Sequence, residues 1–471
     1  MQRSLLFKIS IVGLLTIMLF VPLGMIQNTI WERVHYRDDA VRSIAAESVG
    51  EQIVLGPVLI VPYTEKWEEE TPDKDGKKNV VQQRSASKKL YVYPNEMQVK
   101  GNLDTDQRYR GIHKVLVYSG THLITGDFIL PNTAELIPAD KNKASITFSE
   151  SPYISLGLSD TRGLRNYPKL EWDGKTYEFT HNSKLASLPQ GIHSVLKGFQ
   201  KGDNSTVKFK LELMLDGIEK LSFVPVARNN QVTLTSSWPH LQYGGRFLPS
   251  PKGRTTSPAG VSVNWNISSL SSNAQQQLDK LDSAGEAIPL KSASNETAHA
   301  GSKTLDMFSI SLIEPINNYS QADRAVKYGL MFIGLTFAAF FLFEVLKQLP
   351  IHPVQYTLVG LALVIFFLLL VSLSEKISFA LAYLTASTAC ILLIGIYLAN
   401  VLHDWKRGFG FACALTVLYG ILFGLLNSES NAMMMGSLLL FAVLSGIMIA
   451  TRKVDWYNLS KPVTDSAWDQ S

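Results

Sequence analysis

Residues 354–373, VQYTLVGLALVIFFLLLVSL, form twenty consecutive positions without a charge. As a helix they reach about 30 Å, the thickness of a bilayer's hydrocarbon core. Four more apolar runs surround this one: 328–346, which tolerates Glu344 near its end, 379–400, 408–426 and 432–450. Pro350 and Pro353 separate the first two runs, and SEK, HDWKRG and NSESN interrupt the rest. Connections this short make neighbouring helices antiparallel. Far upstream, ISIVGLLTIMLFVPLGMIQNTIW (9–31) supplies a sixth run, longer than a signal-peptide core and without a small-x-small cleavage site after it. The pattern predicts six spans, arranged one plus five.

Between them, residues 27–327 carry 35 Lys+Arg and 33 Asp+Glu, whereas the other 170 residues hold only 16 charges. The mean hydropathy of +0.09 averages over these two populations. The charged stretch composes a water-exposed domain large enough to fold on its own core, and it contains neither of the two cysteines, Cys390 and Cys413. A net charge of +4 is too small for a nucleic-acid binder.

With the N-terminus inside, short inner segments hold Arg3, Lys8, Lys347, Lys406, Arg407, Arg452, Lys453 and Lys461, against Lys376 alone outside. Retention of Lys and Arg in the cytoplasm then predicts cytoplasmic segments at 1–8 and 452–471 and a membrane anchor at 9–31. It also predicts a periplasmic domain at 32–326 and a five-helix bundle at 327–451.

After the anchor, WERVHYRDDAVRSIAAESV places Val34, Val41, Ile44 and Ala45 on one helical face, which predicts a juxtamembrane helix ended by Gly56-Pro57. From there period-two, β-branched runs take over: VLIVPYTE, KKLYVYP, KVLVYSG, LITGDFIL, ASITFSE, TVKFKLELML, LSFVPVA, QVTLTSSW and VSVNWNIS. They predict an all-β sandwich or two sandwich-like lobes. EKWEEETPDKDGKKNVVQQRSASKK, from Glu65, reads as a solvated hairpin or flexible loop. The Ser-rich stretch 268–301 reads as loose apart from a short helix at 275–281. Ser320-x-x-Asp323 reads as a helix start.

Sites of chemistry are sparse. No H-x-x-x-H, C-x-x-C, G-x-S-x-G or phosphate-binding glycine loop occurs, so no metal, cofactor or catalytic residue is expected. His35, His113, His122, His181, His193 and His240 read as surface or turn residues. Two weak binding candidates remain. Trp238 and His240, with Arg228 and Arg246 nearby in sequence, could form a recognition surface, or Trp238 could simply pack beside Pro239. Glu344, His352, His403 and Asp404 share the inner edge of the bundle and could form a polar cluster, or serve as interfacial anchors, with Lys347 pairing Glu344 at i+3. Small residues at Gly420 and Gly424, and at Ala442, Gly446 and Ala450, predict helix packing.

Several segments resemble the CreD family of bacterial inner-membrane proteins. They are ERVHYRDDAV (32–41), VLGPVLIVP (54–62), SDTRGL (159–164), FVPVARNNQVTLTSSWPHLQYGGRFLP (223–249), DRAVKYGLMFIGLTFAAFFLFE (323–344), HPVQYTLVGLALVIFFLLLVSLSE (352–375) and ATRKVDWY (450–457). The resemblance implies an inner-membrane protein with a large periplasmic region, made under a two-component system. It also implies links to envelope integrity, colicin tolerance and β-lactam responses, but names no reaction. The leading expectation is a non-enzymatic envelope protein that contacts the lipid bilayer and binds an envelope protein, peptidoglycan or lipid. The alternatives are a transporter or flippase-like protein and a periplasmic hydrolase; the oligomeric state is left open.

Overall fold

A computed structural model describes residues 2–72, 79–111, 113–132, 144–148, 150–198, 205–257, 260–288, 305–314, 318–347, 351–401, 404–428 and 432–452. The chain divides into two compact units, Met1–Arg37 with Ile316–Ser471, and Asp38–Pro315.

The helices are α1 (Gln2–Met18), α2 (Phe20–Glu47), α3 (Ala274–Ala284), α4 (Asn318–Lys327), α5 (Gly329–Lys347), α6 (Pro353–Ser374), α7 (Phe379–Val401), α8 (Trp405–Asn427) and α9 (Ala432–Thr451). The Leu19 amide bonds Leu15 O at 2.9 Å, so the ladder carries across the α1–α2 break and Ser10–Glu47 is in effect one 38-residue helix. Among the described residues four helices are long and apolar enough to cross a membrane: this one, α6, α7 and α8. A fifth span results if α4 and α5, bent by 44° at Tyr328, count together, and the apolar part of α9, Met434–Ile449, is shorter. Each of the six expected runs is helical, but the bend and the short last helix make the span count itself a matter of geometry rather than hydropathy.

The helical unit is held by interlocked aromatics. The Tyr419 ring meets Phe332 at 4.6 Å and Phe366 at 4.7 Å, both edge-on, the arrangement that ring quadrupoles prefer. Its hydroxyl donates to Cys390 Sγ at 3.2 Å, and Tyr383 donates to the Tyr419 carbonyl at 2.7 Å. These two hydroxyls are thus paired within the bundle.

The other unit is a two-sheet sandwich. Its strands are β1 (Gln52–Pro72), β2 (Asn79–Val92), β3 (Glu96–Arg110), β4 (His113–Ile129), β5 (Ser145–Thr147), β6 (Tyr153–Leu158), β7 (Lys169–Trp172), β8 (Lys175–Glu178), β9 (Thr180–His181), β10 (Gly191–Val195), β11 (Thr206–Ile218), β12 (Lys220–Val224), β13 (Asn229–Ser236), β14 (Leu241–Gly245), β15 (Thr255–Ser257), β16 (Gly260–Ser268) and β17 (Phe308–Leu312). One sheet runs β14-β17-β12-β1-β6-β10-β9, with β2 and β5 also on β1; the other runs β15-β16-β13-β3-β4-β11-β7-β8. Both sheets feed one core, in which Trp172, Phe128 and Phe209 stand beside one another, as do Trp265 and Phe308.

Strand β1 is buried on both faces. Val54 and Leu59 enter the inter-sheet core, while Ile53, Leu55, Val58 and Ile60 face a second core roofed by Ala274, Leu278 and Leu281 of α3. Even positions point inward before Gly56 and odd ones after it. The inversion follows from one extra residue between Leu55 and Val58 relative to β6, a bulge that flips side-chain parity. Gly56-Pro57 therefore lies inside a strand, and the preceding helix ends earlier, at Glu47.

Other expectations are refined. The charged segment after Glu65 is a hairpin, with a ladder running from Leu59↔Val92 to Pro72↔Asn79. The helix expected at 275–281 is α3; residues 289–301 lie outside the described residues. KVLVYSG and LITGDFIL are one strand, β4, because Gly120 and Gly126 provide clearance rather than turns: a Cβ at Gly120 would stand 2.4 Å from His122 Nε2.

His122 is a clear departure from the surface reading. It is fully buried in the sandwich core, flanked by Gly101 and Gly120 and 5.8 Å from the Phe223 ring. Neither ring nitrogen has a hydrogen-bond partner among the described residues, and burial pushes its pKa down to about 4. The folded chain refuses a proton that the unfolded chain accepts below its ordinary pKa of about 6.5. Stability should therefore fall as pH drops from 6.5 to 4, by up to about 1.4 kcal/mol per pH unit from this residue. Denaturant titrations of the full chain followed by tryptophan fluorescence should show that slope shrinking by this amount in His122→Leu.

Candidate functional site

Polar architecture concentrates first where α2 gives way to β1. A helix end leaves carbonyls without amide partners, and here Arg162 supplies them. Its guanidinium donates to Ala46 O at 2.6 Å and Ala45 O at 2.8 Å, and grips Asp160 through Nε at 3.0 Å and Nη2 at 2.7 Å. A cation at this position also opposes the negative end of the helix dipole. Asp160 caps the short turn Thr161–Gly163 by accepting from the Arg162 amide, and accepts from the Gly50 amide at 2.9 Å. Burial alone would raise the Asp160 carboxyl, but bonds from Arg162 and Gly50 and the guanidinium charge outweigh it and hold the pKa below the usual range.

The neighbours lock the same corner. Ser159 Oγ donates to Glu51 O and accepts from the Ile53 amide, and fully buried Gln52 donates to Asp160 O and Asp216 O. Gly163 is required by contact, since a Cβ there would lie 2.4 Å from Asp216 O and 2.5 Å from Gln52 Nε2. Arg110 adds a two-pronged pair to Glu47 at 2.8 and 2.9 Å. The segment SDTRGL is thus a clamp on a helix end. Its sequence signal, an Asp two residues before an Arg at a turn, did not single out its role.

The candidates around Trp238 are only partly gathered. Trp238 is half-buried against the sandwich core, its indole N–H donating to Ile313 O at 2.8 Å. Lys114 Nζ stands 5.7 Å from its ring centroid and pairs with Glu314 at 2.7 Å, and the His240 ring lies edge-on at 6.0 Å. Arg246 is at the other end of β14. Its amide bonds Met307 O, six residues before Ile313 along β17, so roughly 20 Å of strand separates it from the Trp238 bond. Its guanidinium holds buried Asp306 at 3.0 Å, and that carboxylate also accepts from the Asn273 amide beside α3. Arg228 is exposed and opens β13, at the opposite end of that strand from Trp238. Sequence proximity missed Lys114 and Glu314, which only the fold brings to the tryptophan.

At the bundle edge, Glu344 is buried and accepts from the Tyr356 hydroxyl at 2.7 Å. Tyr356 in turn packs on Phe340 at 4.7 Å. His352 is the N-cap of α6, accepting from the Val354 amide, and Asp404 is the N-cap of α8, paired with Arg407 at 2.9 Å. Two of the four cluster residues are thus used as helix caps. His403 and the Lys347 side chain lie outside the described residues. Among the described residues no group of three or more His, Cys, Asp or Glu could hold a metal ion.

A profile of the family described as Inner membrane protein CreD matches residues 4–457, nearly the whole of this two-unit chain. The chain belongs to the CreD family. Inner membrane protein CreD of Escherichia coli is 33% identical over 464 residues, covering 98% of this chain and 96% of that protein. Among solved structures, an M1 zinc metallopeptidase from Deinococcus radiodurans gives a TM-score of 0.17 at 8% identity, over 37% of this chain and 39% of that one. The Salmonella injectisome secretin InvG gives 0.06 at 11% identity, over 40% and 64%. Likenesses of that size say nothing about this chain. The CreD assignment makes it a member of an inner-membrane family with apolar helices and a large β-rich domain.

Two substitutions probe these arrangements. Arg162→Ala in the full CreD-family chain should speed hydrogen exchange of the peptide around Ser48 and Gly50 by roughly tenfold, as expected for a lost cap, and leave the distant β7–β8 turn unchanged. Glu344→Ala strands the buried Tyr356 hydroxyl and should cost about 1–3 kcal/mol of thermal stability in detergent, whereas Glu344→Gln retains an acceptor and should stay near wild type. A Gln variant that unfolds as readily as the Ala variant would show that the carboxylate charge itself is required.

Proposed function

We propose that this CreD-family chain is a non-enzymatic envelope protein whose six spans hold both termini in the cytoplasm and carry the sandwich in the periplasm. There the sandwich binds an envelope protein, peptidoglycan or lipid, and thereby supports envelope integrity. The observation that carries the reading is the Arg162–Asp160 clamp: the helix that starts in the apolar N-terminal segment ends on the sandwich with its last carbonyls capped. A helix end capped by the folded domain that follows it suits a displayed binding module. Further support comes from the bias of basic residues toward the segments assigned inside, and from the half-exposed Trp238 with Lys114 on its face, tryptophan being enriched among the residues that dominate binding surfaces.

The absence of native cysteines from residues 27–327 makes the placement directly testable. Lys175 opens β8 after the tight turn at Asp173-Gly174 and is exposed. Lys175→Cys in intact cells with a permeabilised outer membrane should react with a membrane-impermeant maleimide. Labelling that required lysis of the inner membrane would overturn the periplasmic reading.

A further inference from the structure

Helices α7 and α8 make contact through small residues. A Cβ at Gly408 would stand 2.6 Å from Ala399 Cβ, and one at Gly395 3.2 Å from Ala412 Cβ. Backbones that approach this closely leave no side chain to fill the space beside the contact. The result is a groove with a cavity volume of about 90 Å³, floored by these four residues. Its walls are long apolar side chains turned away from the bundle: Ile396 is 52% exposed, Phe409 65% and Trp405 71%.

One end of the groove is different in character. Trp405 is the first residue of α8, and Asp404 caps that helix by accepting from the Lys406 amide at 3.0 Å. Asp404 and Arg407 neutralise each other at 2.9 Å. That leaves Lys406, next in sequence to the groove residue Trp405, exposed and without an anionic partner among the described residues. An apolar channel in lipid takes an acyl chain. An ammonium at its mouth attracts phosphate, and a headgroup with a cation of its own gains less from that ammonium than one without. An indole at the same level suits the boundary between chain and headgroup.

The geometry points to a phospholipid site of net anionic headgroup. One acyl chain lies along the Gly395–Ala412 floor, the phosphate sits at Lys406, and Trp405 stands at the boundary. The inference needs only the membrane assignment and is independent of which side of the membrane the sandwich occupies.

The test uses the full chain in phosphatidylcholine nanodiscs into which phosphatidylglycerol with brominated acyl chains is introduced at rising mole fraction. Brominated phosphatidylcholine serves as the comparison. The Trp405 signal is the fluorescence difference between wild type and Trp405→Phe at each composition. Half-maximal quenching should need about fivefold less phosphatidylglycerol than phosphatidylcholine, the preference one lysine provides near an anionic group. Lys406→Gln should bring the two curves together, and Ile396→Phe, which fills the groove from its lipid side, should remove the saturable part of both. Superimposed wild-type curves, linear in mole fraction, would show that Trp405 meets only bulk lipid and would overturn the site. A fivefold preference retained in Lys406→Gln would overturn its assignment to that residue. With Trp405→Phe, a conservative change at an exposed position, as the reference, the wild-type comparison stands even if Lys406→Gln or Ile396→Phe fails to fold.

Discussion

The last carbonyls of a helix that turns into a strand need donors, and in this chain one guanidinium provides them. Arg162 caps Ala45 and Ala46 while held by Asp160, and Asp160 binds the Gly50 amide in the linker itself. The direction in which β1 leaves the helix follows from these bonds, together with Gln52 buried between Asp160 and Asp216.

Once β1 is placed, the rest of the domain is built on it. It is the central strand of its sheet, paired in parallel with β12 and antiparallel with β6, and it is covered on both faces. The bulge at Gly56-Pro57 lets one strand serve two cores by reversing which residues face each of them. Close approach elsewhere is purchased with glycine, as at Gly163 under Asp216 and at Gly101 and Gly120 around His122. The imidazole in that position is a polar group in an apolar core, a stability cost the fold carries without any bond to offset it among the described residues.

In the helical unit several polar groups among the described residues serve structure. Tyr356 serves Glu344, Tyr419 serves Cys390, and His352 and Asp404 cap their helices. Membership of the CreD family brings a cellular location but no reaction, and the chemistry described here is that of joints, caps and surfaces.

Hydropathy by itself determined the apolar helices, because lipid solvation requires runs of some twenty uncharged residues wherever they fall. Period-two alternation likewise determined that the intervening domain is β-rich, whereas the charged segment after Glu65 read equally as a hairpin or a flexible loop until the β1–β2 ladder decided it. These are local properties, legible in a window of the chain. Tertiary structure alone decided the strand order and the burial of His122. It also set the bend at Tyr328, which hydropathy does not register. It separated Arg246 and Arg228 from Trp238, because the two ends of a single strand lie far apart in space however close they are in sequence. It joined Tyr356 to Glu344 and Arg162 to Ala45, partners 12 and 117 residues apart, because a hydrogen bond depends on distance in space, and spacing along the chain carries no record of it.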